Sequence, residues 1–147
     1  MAAVTAGRAL CYNTSHAAAE DARSQGYCRR RSLDSLELAR HIVDVVEDKK
    51  AENIVLLDLR PDTVIADFFV ICTGNSDRQL KALAEYVHEG VKERFGTLPF
   101  SREGTAESGW VLLDYGTVVA HLFLEDKRRY YDLEGLWRKA QVLLSIQ

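Results

Sequence analysis

No apolar run in this sequence approaches the roughly 20 residues that a membrane-spanning helix needs. Cysteine is scarce: Cys11, Cys28 and Cys72 include no pair at CxxC spacing. Neither a zinc knuckle nor a disulfide framework is therefore signalled, and a reducing compartment is the default. Catalytic signatures are missing too, since the chain contains no GxSxG elbow, no HExxH pair and no GxxxxGK(S/T) loop. What remains is 147 residues of which 47% are hydrophobic, enough for the core of one domain.

Charge is divided unevenly. Residues 1–32 carry five arginines, Arg8, Arg23, Arg29, Arg30 and Arg31, against Glu20 and Asp21, a net of +3. The remaining 14 basic and 20 acidic residues give −6. An acidic body is ill suited to following nucleic-acid phosphates, so direct DNA or RNA binding starts at a disadvantage and a basic protein partner becomes the better match. Residues 1–31 show no useful periodicity and read as a mobile, disordered arm ahead of an ordered domain over 32–147. Their Arg- and Ser-rich, acid-poor composition loosely resembles an organelle transit peptide. An over-extended start accounts for them as well.

The rest is organised around Asp67–Gly96. Phe68 to Cys72 form a continuous apolar run of β-formers, a strand buried on both faces. Ser76 with Gln79 three residues on forms a capping box. Leu80, Leu83, Ala84 and Val87 then fall on one helical stripe that Gly96 closes. Strand, turn and helix in succession are half of a βαβ unit, which calls for a further strand in the same sheet, supplied by Trp110–Leu113. Upstream, Asp34 and Glu37 can cap a helix with Leu38, Ile42, Val45 and Val46 on one side, and Ile54–Leu59 is a second strand that Pro61 ends. Residues 97–109 read as a loop. Val118–Leu124 pairs with Trp110–Asp114 as a hairpin across Tyr115-Gly116-Thr117. Leu133, Leu136, Trp137, Ala140, Val142, Leu143 and Leu144 predict a closing helix. The fold class is α/β, a mixed sheet of about four to five strands flanked by three helices.

Candidate chemistry is thin. Cys72 and His121 could in principle be nucleophile and base, but each sits in an apolar run where an inert thiol and a core histidine are the commoner outcomes. His41 and His88 lie on predicted helices with no second ligand at metal spacing. The turn Thr73-Gly74-Asn75-Ser76-Asp77 stands where phosphates bind, yet Asp77 places a negative charge in the anion's position. A two-metal nucleotidyltransferase would need paired carboxylates, whereas Asp58 stands alone in its strand and Asp114 is followed by Tyr115 and Gly116. No catalytic residue, metal ligand or cofactor site is therefore assigned. The aromatics say more: Trp110, Tyr115, Tyr130 and Tyr131 stand at strand ends or connections, where large rings serve as interface anchors. Trp137 reads as core.

The words DFFVICTGNSDRQ, WVLLDYGTVVAHLF and RRYYDLEGLW, in this order, resemble the ribosomal silencing factor family (RsfS, also called Iojap) over about residues 33–140. Phe68, Asn75 and Thr117 depart from the family's usual Tyr, Thr and Asp. The resemblance implies a nucleotidyltransferase-like fold without the metal-binding carboxylates, and a protein that is not an enzyme. It also implies docking on the large ribosomal subunit, at ribosomal protein uL-fourteen, that blocks joining of the small subunit, represses translation and assists large-subunit biogenesis. On that basis Trp110, Asp114, Tyr115, Tyr130 and Tyr131 form the expected partner surface, with Asp77 and Arg78 as the alternative one. The location implied is cytoplasmic, or mitochondrial or plastid where residues 1–31 act as a transit peptide. Two other classes stand beside it: a nucleotidyltransferase-like enzyme, and a scaffold in which an exposed sheet edge pairs free protein into a homodimer.

Overall fold

A computed structural model describes residues 35–60 and 63–147. Helix α1 spans residues 35–48. There follow β1 (Glu52–Asp58), β2 (Phe68–Gly74), α2 (Asp77–Phe95), β3 (Ser101–Glu103), β4 (Trp110–Asp114), β5 (Val118–Leu124), α3 (Glu125–Tyr131), α4 (Leu133–Leu136) and β6 (Gln141–Ile146). Ser32, Asp34 and Pro61, and with them the expected start of α1 and stop of β1, lie outside the described residues.

The six strands form one mixed sheet in the order β3-β4-β5-β2-β1-β6, with β2 and β5 parallel and every other pair antiparallel. The helix after β2 therefore does cross over to a parallel strand, as right-handed βαβ logic requires. That strand is β5. Trp110–Asp114 lies in the same sheet but one place further out, because β5 folds back from the hairpin and takes the position beside β2.

Strand residues point alternately to the two faces, which splits the core in two. Ile54, Leu56, Phe68, Val70, Cys72, Val111, Leu113, Val118, Ala120 and Leu122 meet α1 and α2 in the larger cluster. On α2 the buried residues are Leu80, Leu83, Ala84, Val87 and Val91, the expected stripe extended by one turn. Leu57, Leu59, Phe69, Ile71, Val119 and Phe123 point the other way, where, among the described residues, Leu133, Trp137 and Ala140 of the C-terminal segment give partial cover. Among the described residues the helices thus close one face of the sheet and leave the other half open.

Two expectations are corrected. The closing helix over 133–144 stops at Leu136, and Gln141–Ile146 is instead a strand antiparallel to β1. A short apolar run suits either structure locally, and what decides here is the open edge of β1, whose backbone donors and acceptors need partners. Ser101–Glu103, read as loop, adds the opposite edge strand by pairing with Asp114, Leu113 and Leu112. The short helix α3 takes up the charged stretch that follows β5.

Candidate aromatic docking face

The half-open face carries a row of rings. Trp110 begins β4 and lies 5.0 Å from Phe123 across the hairpin, nearly parallel to it. Tyr131, at the end of α3, leans on Trp110 with ring centroids 4.6 Å apart, and Tyr130 meets Tyr131 edge-on at 5.0 Å. Phe69 and Trp137 continue the row, packed at right angles. Tyr131 is 43% exposed and Tyr130 79%, while Trp110 is half-buried. Partly covered rings rimmed by polar loops are the composition of an interface hot spot.

His121 fixes this arrangement from beneath. Its side chain is 4% exposed, and its Nδ1 accepts the indole N–H of Trp110 at 3.3 Å. An indole only donates, so the neutral imidazole carries its proton on Nε2, which is buried with no partner. Burial lowers the His121 pKa to about 4, so the ring stays uncharged at neutral pH and the Trp110 bond is kept. Phe69 stands edge-on at 4.7 Å.

The loop between β3 and β4 and the helix α3 frame the row. At Gly104 φ is +79° and a Cβ would fall 2.0 Å from the Trp110 carbonyl oxygen, so only glycine lets the loop close onto β4. Gly109, with φ of +80°, accepts the Leu124 N–H at 2.8 Å and so ties the loop to the start of α3. Arg128 holds α3 down. Its guanidinium forks onto the Glu134 carboxylate and donates to the Asn53 carbonyl and to Thr73 Oγ1, the last at 2.7 Å. Tyr131 is thereby set against Trp110. Between loop, strand and Tyr131 lies a cavity of about 200 Å³, lined by Glu103, Gly104, Ser108, Trp110, Leu112 and Tyr131.

Of the residues expected to form the partner surface, Trp110, Tyr130 and Tyr131 are brought together. Asp114 shares their face, since alternate residues of β4 do, but stands about 13 Å along the strand from Trp110. Its Oδ1 accepts the Gly116 N–H at 2.7 Å, which commits it in part to the hairpin turn. Tyr115 does not belong. It falls on the opposite parity, is 4% exposed in the helix-side core, and burial pushes its hydroxyl pKa up to about 12. Asp77 and Arg78 are exposed at the head of α2, in the helical layer. The expectation missed His121, Leu112, Phe123, Glu103 and Arg128. Strand parity counted from Trp110 would have found Leu112, whereas the others depend on register or on which charge of a run turns inward.

The Cys72–His121 pairing cannot form, because Cys72 faces the helices and His121 the opposite side of the sheet. Desolvation raises the Cys72 pKa to about 12, so the thiol is inert. In the β2–α2 turn, Ser76 Oγ accepts the Gln79 N–H at 3.2 Å and Gln79 Oε1 accepts the Asn75 N–H at 2.7 Å. The Asn75 and Gln79 N–H groups are thus taken up within the cap. Among the described residues no group of three or more His, Cys, Asp or Glu could hold a metal ion.

The model of a family described as "Ribosomal silencing factor during starvation" matches residues 32–147. A Halalkalibacterium halodurans protein named ribosomal silencing factor RsfS is 43% identical over 108 residues, 74% of this chain and 92% of its own length. A mouse protein named mitochondrial assembly of ribosomal large subunit protein 1 is 32% identical over 98 residues, 65% of this chain and 43% of its own. A crystal structure of a Chromobacterium violaceum protein, 37% identical, superposes with a TM-score of 0.67 over 70% of this chain and 85% of that one.

Proposed function

The chain belongs to the ribosomal silencing factor family, and from that premise we propose that it binds the large ribosomal subunit, through ribosomal protein uL-fourteen, and blocks joining of the small subunit. It represses translation by occupancy rather than chemistry, and assists large-subunit biogenesis, as the mouse relative's name suggests for that protein. Its compartment is that of the ribosome it serves: the cytoplasm, or an organelle where residues 1–31 direct it there.

One observation carries the reading. The sheet presents a rigid, half-covered row of aromatic rings on the face the helices leave open, within a body of net charge −6. Steric exclusion needs only a surface whose affinity competes with subunit joining, and such a surface suits a basic ribosomal protein. Two further points favour a role without catalysis: the thiol and imidazole face opposite sides of the sheet, and the helix-start turn commits its Asn75 and Gln79 N–H groups to the cap.

Co-sedimentation of the full chain with isolated large subunits tests this. Trp110→Ala, with its fold checked by circular dichroism, is expected to weaken binding by about 2–4 kcal/mol, the cost of losing a central aromatic anchor. Retained binding at the parent level would place the contact elsewhere, with Asp77 and Arg78 at the head of α2 the next surface to vary.

A further inference from the structure

We infer that the cavity beside Trp110 and Tyr131 is a receptor for one arginine side chain of the basic protein to which this face docks, with Glu103 as its counter-ion. The inference rests on the docking reading above and assigns the cavity its ligand.

Three features point there. First, the paired residues of neighbouring strands share a face. Glu103 pairs with Leu112, and Leu112 with His121, so Glu103 belongs to the row that carries the aromatic rings. The neighbouring Arg102 confirms the parity, since it points the other way and bonds Glu85 of α2 at 2.8 Å. Second, the Glu103 carboxylate is exposed and, among the described residues, makes no ion pair, although it lines a cavity whose other walls are Trp110, Tyr131, Leu112, Gly104 and Ser108. Third, the walls are preset. The indole is held by His121 and Tyr131 by the Arg128 anchor of α3, so a guest pays little to order them.

A carboxylate beside two aromatic faces matches a guanidinium better than any other protein group. Its plane stacks on an indole or phenol ring while its N–H edge meets the carboxylate. An ammonium lacks the flat face, and a phosphate of ribosomal RNA would be repelled by Glu103 and by the exposed Glu107 of the adjoining loop. Lys127 does not satisfy Glu103 from within, because its stem runs past Gly109 and it is not among the residues lining the cavity.

The test compares Glu103→Gln with Glu107→Gln, two exposed positions with the same change in net charge, of which only Glu103 lines the cavity. Binding of each full-length chain to isolated large subunits is measured at low and raised salt, beside Trp110→Ala. Glu103→Gln is expected to weaken binding about tenfold and to flatten its salt dependence, while Glu107→Gln stays within twofold of the parent. Equal effects of the two substitutions, or tighter binding on removal of the Glu103 charge, would overturn the receptor while leaving the docking face intact. Parent-level binding by Trp110→Ala would instead overturn the docking face and the receptor with it.

Discussion

Between pH 6.5 and 4, His121 stays neutral only as long as the domain is folded. Its pKa falls from an ordinary 6.5 to about 4 by burial, so the unfolded chain takes up a proton in a pH range where the folded chain refuses it. Stability is unaffected by this group above pH 6.5 and is lost as pH falls from there toward 4, by about 2 kcal/mol at pH 5. Asp58, whose carboxyl is held below its usual range by a hydrogen bond from Arg60, acts in the same direction but below that window. Thermal melts at pH 7 and pH 5 are therefore expected to separate by several degrees more for the parent than for His121→Phe. Equal separations would mean that His121 is charged in the fold or solvated. Arg128 acts through contacts instead. Its side chain is 10% exposed, and Arg128→Ala removes every bond that ties α3 to β1, β2 and α4. A loss of about 2–3 kcal/mol is expected, seen as a melting point lowered by roughly 10 °C. Melting within a degree of the parent would show that α3 docks without it.

At the scale of elements, the head of α2 is the clearest local determinant. Ser76→Ala is expected to cost about 1 kcal/mol in chemical denaturation, against a few tenths for Ser76→Gly, because alanine neither accepts the Gln79 N–H nor relaxes the extended cap backbone. A loss of only a few tenths of a kcal/mol on Ser76→Ala would remove the cap bond from the account. Elements of this kind, α1, α2 and the four central strands, were legible because periodicity and caps lie within a few residues of one another. The C-terminal strand was not. Val142, Leu143 and Leu144 serve a helix stripe and a strand equally, and their choice is made by the edge of β1, some 85 positions earlier in the chain. The docking row was half legible: Trp110, Tyr130 and Tyr131 stood out as rings at element ends. Tyr115 was misplaced because strand parity was not carried past Asp114. His121 and Glu103 join the row only through cross-strand register, which no local pattern encodes.

For the whole molecule, the sheet divides the labour. One face, buried under α1 and α2, supplies the core, and the other carries the aromatic row with Glu103 at the cavity beside it. Central to this account is that the chain acts by occupying a place the small subunit needs, and one equilibrium separates that from a remote effect. Large subunits loaded with the full chain are titrated with small subunits, and the bound chain is followed through a sucrose gradient. Mutual exclusion predicts that small subunits displace the chain in proportion to joining, and that the joined particle contains none. A joined particle that still carries the chain would contradict the account.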